Sequence, residues 1–210
     1  MGKTGPRTRR IRDRTAKEDV RHRIVGAAFE TLREVGYAET SARLIAKTGG
    51  FNQAQIFYYF GSVNNLLVAA FEQSSLEQLA AYRETVAGIT DLSDLLAAVR
   101  ERVEADLESG HVRVLAELIG ASSTDSALRA KVLELFTPWI ELTKETMTRV
   151  LAATGFDSLL PAERVAYGVV CLFLGMQQMV TLTNDAQPVL DIFETAQQVA
   201  GTFNGILQAT

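Results

Sequence analysis

This chain of 210 residues has few of the residues on which many enzymes and secreted proteins depend. Cys171 is the only cysteine, so the chain cannot form an internal disulfide, and nothing indicates an oxidising compartment. The two histidines, His22 and His111, are far apart and do not lie at metal-ligand spacings. Neither a Gly-rich phosphate loop nor a GxSxG nucleophile motif is present. We therefore expect no enzyme, no metal site and no cofactor.

One stretch of the chain is rich in acidic residues, and paired carboxylates can perform acid–base chemistry. The residues concerned are Glu101, Glu104, Asp106 and Glu108. Their most economical interpretation is a solvated helix face, which leaves the prediction of no catalysis unchanged.

Proline and strand patterns are scarce as well. Only four residues are proline, and no stretch alternates apolar and polar residues convincingly between turn signals. Hydrophobic residues make up 47% of the chain, and helix formers such as Ala, Leu, Glu, Gln and Arg are abundant. We predict an all-α fold of about nine helices, in which three small helices precede a bundle.

A single stretch is apolar enough to raise the question of a membrane. Val165–Thr183 carries no charge and begins with twelve apolar or glycine residues, VAYGVVCLFLGM. A membrane-spanning helix needs about 20 predominantly apolar residues, and Gln177, Gln178 and Thr181 interrupt this one. We predict a buried helix and no membrane contact. The arginine-rich start of the chain does not resemble a signal peptide, so a cytoplasmic location is expected.

The net charge of −4 conceals an uneven distribution. Residues 1–60 carry 12 Lys and Arg against 6 Asp and Glu, whereas the remaining 150 residues carry 9 against 19. A basic front on an acidic body indicates that one end meets a polyanion. The alternative is that the arginine-rich start is only a solubilising tail.

The basic part of the chain contains two short helical patterns joined by a glycine turn. The sequence predicts one helix over Ser41–Lys47, a turn over Thr48–Phe51 and a further helix over Asn52–Tyr59. Asn52 and Gln55 have the spacing of a capping box, although Asn replaces the usual Ser or Thr. Two short helices in this arrangement form a helix-turn-helix, whose second helix enters the major groove of DNA.

Residues Arg21–Gln73 resemble the N-terminal domain of TetR-type transcriptional regulators. The resemblance is carried by GYAETS before the second helix, the IA pair, the glycine turn, and YYFGS with LL after it. These motifs cover about a quarter of the chain. The resemblance implies a regulator, by family precedent a repressor, that binds a palindromic operator in double-stranded DNA as a homodimer. The expected segments are a flexible basic arm (1–20), a helix-turn-helix domain (21–65) and a bundle for ligand binding and dimerisation (66–210).

The chemistry of the motif suggests roles for its side chains. Gln53 and Gln55 are the expected base readers, since Gln pairs bidentately with adenine. Phe57 can contact a thymine methyl, and Tyr58 and Tyr59 can donate hydrogen bonds to phosphates. The alternative is an ordinary aromatic mini-core with a polar cap. The expected contacts in the motif, with Thr40 as the predicted N-cap of the second helix, are Thr40, Ser41, Arg43, Asn52, Gln53, Ala54, Gln55, Phe57, Tyr58 and Tyr59.

The chain departs from the family pattern where a lysine usually follows the GS pair. Here that position is Val63, and Gln53 stands where many relatives carry Lys or Arg. We expect the arm to compensate, because its arginines can follow the backbone or enter a minor groove. The arginines of the arm are Arg7, Arg9, Arg10, Arg12 and Arg14, and those assigned as DNA contacts are Arg9, Arg10 and Arg12.

Two later stretches have the spacing of helix-pairing seams, with apolar residues every three or four positions. By analogy with the four-helix dimer contact of the family, we expect them to form the dimer interface. The alternative is an intramolecular core face. The interface residues assigned from this pattern are Gly168, Leu172, Gly175, Met179, Leu182, Phe193, Ala200 and Leu207.

The resemblance also implies a small-molecule effector held in the bundle. Aromatic, thioether and amide side chains in the middle helices suggest a largely apolar or aromatic effector. For any one of them, core packing is the alternative. A rival hypothesis is a DNA-binding regulator with no small-molecule inducer, constitutive or controlled by a protein partner. The candidate pocket residues are Phe136, Trp139, Met147, Phe173, Met176 and Gln177.

Overall fold

The computed structural model describes the backbone of residues 6–208 and the side chains of residues 15–107 and 109–202. Over residues 6–208 the chain forms nine helices and no strand, which confirms the predicted all-α class. Two compact units divide the chain at Gln73 and Ser74, inside the fourth helix. The helices are α1 (Pro6–Glu39), α2 (Ala42–Gly49), α3 (Ala54–Phe60), α4 (Val63–Thr85), α5 (Leu92–Ser109), α6 (His111–Ser122), α7 (Ser126–Thr154), α8 (Ala162–Thr183) and α9 (Gln187–Gln208).

The first unit, residues 1–73, has an apolar interior supplied by its helices. Ile24 and Leu32 lie on one face of α1, and both are fully buried. Ile45 of α2 and Ile56 of α3 are likewise inaccessible, and α1 packs against α2. Full burial of such a side chain contributes roughly 1.5–3 kcal/mol. This interior holds the short helices α2 and α3, which are too short to be stable alone.

The predicted end of the first helix at Gly36 is confirmed as a break in α1. Gly36 has φ 77° and ψ 174°, a backbone conformation that favours glycine and interrupts the helix. The hydroxyl of Thr40 donates a hydrogen bond of 2.6 Å to the Gly36 carbonyl. The break redirects the chain into the helix-turn-helix.

The expectation that residues 1–20 lack regular structure is wrong for residues 6–20. These residues form the first turns of α1, which begins at Pro6, a residue favoured at the first helical position. The segment contains five arginines, which have high helix propensity. The side chains of Arg9, Arg10 and Arg12 lie outside the described residues.

The second unit, residues 74–210, is a helical bundle that contains the end of α4 and the helices α5–α9. Within it, α5 packs against α9, α7 packs against α8, and α6 contacts α5, α7 and α8. One core cluster includes Tyr82, Leu142 and Met147, with Trp139 packed against it. A second cluster joins Val103 of α5 to Phe193 of α9. The bundle therefore has two apolar centres, and each contains some of the predicted pocket residues.

The prolines of the second unit were predicted at first-turn positions. Pro161 immediately precedes α8, and Pro188 is the second residue of α9. Pro138 does not fit the prediction, because it lies inside α7. The surrounding positions Val132, Leu142 and Met147 are buried in the bundle, so tertiary packing holds the helix together across the proline.

The apolar run in α8 is not the buried helix that we predicted. Ala166 and Gln177 are the residues of α8 that are buried. Leu172 is 59% exposed and Leu182 is 78% exposed. Among the described helices, α8 is the one that is long and apolar enough to cross a membrane by length and composition, which is weak support for a span.

Candidate nucleic-acid interface and effector core

The helix-turn-helix begins with a capped α2. The Ser41 hydroxyl accepts a hydrogen bond of 3.3 Å from the amide of Leu44, so Ser41 is the N-cap. The prediction of Thr40 as N-cap is wrong, because its hydroxyl is bonded to Gly36 and its side chain is half-buried. Arg43 and Lys47, on later turns of α2, are exposed. The free amides of this helix start and the two cations suit a phosphate backbone.

Two adjacent glycines build the turn between α2 and α3. Gly50 has φ 65°, the left-handed conformation that ends a helix, and its amide donates to the Ala46 carbonyl. A Cβ on Gly49 would lie 2.1 Å from the Phe51 ring and 2.8 Å from Ala27. Gly50 therefore supplies the backbone geometry, and Gly49 supplies the room in which the Phe51 ring packs.

The recognition helix α3 begins at Ala54, two residues later than predicted. The Asn52 side chain caps it by accepting a hydrogen bond of 2.9 Å from the Ala54 amide. The Gln55 amide instead donates to the backbone carbonyl of Asn52, at 2.9 Å. The capping box predicted for Asn52 and Gln55 is therefore wrong: the Asn52 side chain bonds the amide two residues on and not three, and the residue directly before α3 is Gln53.

The faces of α3 separate buried from exposed side chains. Ile56 is completely buried, as predicted, whereas Phe57 is 51% exposed and Tyr58 is 73% exposed. Gln55 and Tyr59 are half-buried. The amino-terminal end of the motif is exposed at Asn52, Gln53 and Ala54. We call the exposed set the reading face: Asn52, Gln53, Ala54, Phe57 and Tyr58.

Aromatic contacts support the reading face from behind. The Tyr58 and Tyr59 rings meet edge to face with centroids 5.0 Å apart. The guanidinium of Arg21 lies over the Phe60 ring, 5.2 Å from its centroid. After Gly61, which has φ 74°, the Ser62 hydroxyl caps α4 by accepting from the Asn65 amide at 3.1 Å. The four consecutive aromatics are therefore partly structural and partly exposed.

Comparison with known proteins agrees with this geometry. The profile of bacterial regulatory proteins of the tetR family matches residues 24–70, which include α2, α3 and the turn. An HTH-type transcriptional regulator of Mycobacterium tuberculosis is 31% identical over 115 residues. Residues 24–70 therefore form a DNA-binding domain of the TetR family. This family is a class of DNA-binding transcriptional regulators, not of enzymes. The match covers 54% of this chain and 58% of that relative, so the chain spans little more than half the length of its relative.

Solved structures show that the likeness in fold extends beyond the profile. FadR of Bacillus subtilis in complex with stearoyl-CoA has a TM-score of 0.72, at 16% identity over 85% of this chain and 96% of that one. The multidrug binding protein EbrR complexed with proflavin has a TM-score of 0.59, at 24% identity over 87% and 98% of the chains. At these identities the likeness establishes the fold alone.

The residues predicted to line an effector pocket separate into two groups. Phe173, Met176 and Gln177 line a cavity of about 10 Å³ in the second unit, close to the smallest space that holds one water molecule. Trp139 and Met147 lie instead in the other core cluster, and Phe136 is half-buried on α7. The structure therefore brings three of the six together. The remaining lining residues are Val103, Asp106, Leu107, Val112, Val180 and Val189.

A buried polar cluster beside this cavity was missed by the sequence analysis. Asp106 is only 3% exposed, so its assignment to a solvated face is wrong, whereas Glu101 and Glu104 are exposed as predicted. Arg102 lies 3.6 Å from Asp106 Oδ1 and donates to Gln78 at 2.8 Å. Burial raises the pKa of Asp106 to about 6. A signal was available in the sequence, because Asp106 follows Val103 by three positions on the apolar stripe of α5.

His111, the first residue of α6, is also buried. Its Nδ1 lies 2.9 Å from the Ser74 hydroxyl, and burial lowers the pKa of His111 to about 4. The imidazole is therefore neutral near pH 7. Among the described side chains no group of His, Cys, Asp and Glu could hold a metal ion.

The predicted dimer residues on α8 and α9 have different surroundings. Gly168, Leu172, Gly175, Met179 and Leu182 of α8 are exposed, as an interface requires.

Phe193 and Ala200 of α9 were assigned to the wrong face. Both are buried, and Phe193 packs within its own unit, so neither is available to a second copy. The apolar positions that α9 exposes are Ile192 and Val199. The side chain of Leu207 lies outside the described residues.

Proposed function

We propose that this chain is a dimeric transcriptional regulator that binds a palindromic operator and is released from it by a small effector. The observation that carries the proposal is the exposed reading face of α3. We propose that the exposed Gln53 forms hydrogen bonds with adenine and that the exposed Phe57 contacts a thymine methyl. Tyr58 is positioned to hydrogen-bond a phosphate oxygen, which fixes the helix without reading sequence.

The exposed apolar face of α8 supports the dimer. A helix-turn-helix dimer spans two half-sites about 34–36 Å apart, so a single copy reads only half an operator. Large apolar side chains exposed on one helix are a feature of protein interfaces. We replace the buried residues of α9 by the exposed ones. The proposed dimer face then comprises Leu172, Met179 and Leu182 of α8 with Ile192 and Val199 of α9.

Effector control is supported by the neighbours in fold. FadR was solved with stearoyl-CoA and EbrR with proflavin, both of which have large apolar or aromatic parts. In a regulator of this kind, the effector must bind one arrangement of the bundle better than the DNA-bound arrangement. We propose that the chain represses transcription while it is bound to the operator, and that effector binding relieves this repression.

One observation favours a second candidate function, in which the regulator has no small-molecule inducer. The cavity beside Phe173 and Met176 is about 10 Å³, far below the roughly 300–1,000 Å³ of ordinary ligand sites. A constitutive regulator, or one controlled by a protein partner, needs no larger space. The two candidates share the reading face and differ in whether any small molecule alters operator affinity.

Selection of bound fragments from random duplex DNA tests the proposal. We expect an inverted repeat, bound by two copies of the chain. Gln53→Ala should reduce discrimination at one base pair of each half-site by roughly 1–3 kcal/mol. Gln187→Ala removes an exposed amide of the second unit and serves as the matched control. Failure to enrich any duplex at low ionic strength would contradict the proposal.

The arginine-rich start of the chain provides a separate test of how the DNA backbone is held. Between residues 24 and 60 the sequence has only three cations, and one of them, Arg33, is paired with Glu30. We propose that the arginines before residue 15 supply the missing phosphate contacts. Each neutralised phosphate steepens the log–log salt dependence by about 0.9. Deleting residues 1–15 should weaken binding and flatten that slope; an unchanged slope would show a solubilising tail.

A further inference from the structure

The cavity in the second unit is apolar except at one end. Val103, Phe173, Met176 and Val189 supply aliphatic, aromatic and thioether surface. Asp106 belongs both to this lining and to the buried polar cluster. The carboxylate is therefore the point at which the apolar space meets hydrogen-bonding groups.

Three polar atoms of this cluster are buried without a hydrogen bond, namely Arg102 Nε, Asp106 Oδ1 and Tyr82 Oη. Asp106 is 3% exposed and Tyr82 is 6% exposed. Tyr82 is close enough to Asp106 for its hydroxyl to lower the pKa of Asp106 as a hydrogen-bond donor, although neither Tyr82 Oη nor Asp106 Oδ1 reaches full hydrogen-bond geometry in the structure. Burying an unsatisfied polar atom is costly, so such atoms in a native core call for a partner.

The charges of the cluster decide what kind of partner fits. Arg102, 3.6 Å from Asp106 Oδ1, already balances the carboxylate. His111, which is buried on the neighbouring α6, is neutral near pH 7 because burial lowers its pKa to about 4. An anionic head group would face the carboxylate, and a cationic one would face the guanidinium. Either would bring an unbalanced charge into the core, which is strongly unfavourable.

We propose that this core binds a neutral effector carrying a hydroxyl group on an apolar body. The hydroxyl donates to Asp106 Oδ1 and accepts from Tyr82 Oη, which gives two of the three buried atoms a hydrogen-bond partner. The apolar body packs against Phe173 and Met176 and replaces the contacts that these side chains make with the closed core. This inference rests on the proposed effector control and specifies the chemistry of the effector.

Entry of the effector requires the cavity to widen. Met176 is unbranched, with three rotatable bonds, and can vacate space at little cost. The effector then selects an expanded arrangement of α5, α8 and α9 that the closed core populates weakly. Because only molecules in the expanded arrangement bind the effector, we expect the measured affinity to be lower than the affinity of that arrangement itself.

A head-group series on one apolar chain tests the inference. The probes are 1-octanol, its isomer 1-methoxyheptane, octylamine and octanoate, titrated into the full-length protein at pH 7.5. Trp139 is the only tryptophan, and its ring lies 5.3 Å from that of Tyr82, so its fluorescence reports on the site. We expect 1-octanol to bind about tenfold or more tightly than the isomeric ether, because only the alcohol donates to a charged acceptor. Tighter binding of the amine or the carboxylate, equal binding of alcohol and ether, or no binding of any probe overturns the inference.

Variants at Asp106 locate the preference. Asp106→Leu should bind alcohol and ether equally, and Asp106→Asn, which keeps one acceptor oxygen, should show an intermediate preference. Glu101→Gln on the exposed face of the same helix removes the same charge and should leave the tenfold preference intact. If Asp106→Leu and Asp106→Asn both retain the full preference while remaining helical, Asp106 is not the acceptor and the inference is wrong.

Operator binding separates this inference from the proposed function. If an inverted repeat is bound but alcohol and ether bind alike, the effector chemistry is wrong and the regulator remains. If 1-octanol binds as expected but leaves operator affinity unchanged, the site is correct and the proposed effector control is wrong.

Discussion

The two units of the chain place their polar and apolar side chains in opposite ways. In residues 1–73, Ile24, Ile45 and Ile56 fill the interior, and the buried hydroxyl of Thr31 is bonded to Ala27 and Thr48. In residues 74–210 the interior contains Asp106 and His111, whereas large apolar side chains of α8 face solvent. The first unit has the ordinary arrangement of a soluble domain, and the second reverses part of it.

This difference indicates where each unit makes its contacts. A domain that binds through its exterior needs an interior only for shape, so an apolar core and exposed amides suffice. A domain that binds a small molecule internally, and a second copy externally, needs polar atoms inside and apolar surface outside. The proposed effector site and dimer face match the second description.

The largest expected effect comes from breaking the interior of the first unit. Ile56→Ala should lower the free energy of unfolding of this unit by roughly 2–5 kcal/mol, since Ile56 is fully buried. Phe57→Ala, on the exposed face of the same helix, should change it by less than about 0.5 kcal/mol and still weaken DNA binding. Hydrogen exchange of the α2 and α3 amides, together with operator affinity, measures both. Equal losses of stability would remove the distinction between interior and reading face.

The second prediction concerns the buried ionisable groups of the second unit, whose effects on stability have opposite signs. Burial raises the pKa of Asp106 from 3.8 to about 6. The stabilisation that the folded state gains from binding this proton is therefore present below pH 3.8 and is lost as the pH rises to 6. Burial lowers the pKa of His111 from 6.5 to about 4, so its contribution is present above pH 6.5 and is lost as the pH falls to 4. Each effect is on the order of 3 kcal/mol.

Urea unfolding, followed by Trp139 fluorescence, separates the effects of Asp106 and His111 on stability. Relative to the unmodified chain, Asp106→Asn should gain stability as the pH is raised from 4 to 7. His111→Gln should gain stability as the pH is lowered over the same range. Because the two slopes oppose each other, the unmodified second unit should vary little with pH. Parallel pH profiles for all three proteins would show that neither group titrates within the folded core.

The third prediction tests the exterior of the second unit. Leu172→Glu should weaken dimerisation by roughly 2 kcal/mol, or about thirtyfold, because it places a charge in a desolvated contact. Leu133→Glu, at a comparably exposed leucine of α7, should leave the dimer intact. Sedimentation across a concentration series distinguishes the outcomes. A dimer equally resistant to both changes would place the interface elsewhere.

The smallest expected effect is at the cap of the recognition helix. Asn52→Ala removes the acceptor of the Ala54 amide and should cost about 1 kcal/mol. Asn52→Ser keeps a capping oxygen and should retain most of the stability. Thermal unfolding compares the two variants, and equal losses would show that the exposed α3 start does not depend on this bond.

Local rules predicted the helix-turn-helix well because its determinants are local. Gly36 and Gly50 break helices at the predicted places, and the spacing of Ile56 placed it in the core. The errors there are small: the cap is Ser41 and not Thr40, because the Thr40 hydroxyl is bonded to the Gly36 carbonyl four residues earlier.

The bundle was predicted less well because its determinants are tertiary. The seam of α9 was found by its spacing, but spacing does not say whether Phe193 packs within its own unit or against another copy. Asp106 resembles its acidic neighbours in sequence and differs from them only in what α5 packs against. Pro138 lies inside α7 and not at a helix start, because packing on both sides of the proline stabilises the continuous helix.

That proline has a kinetic consequence for the longest helix of the bundle. Pro138 has no amide proton to offer the Glu134 carbonyl, so α7 lacks one rung of its hydrogen-bond ladder midway along its length. Opening that begins at one end of the helix need not spread past this gap. Amides near Val132 and those near Val150 should therefore exchange with solvent deuterium as two independent groups, each with its own protection.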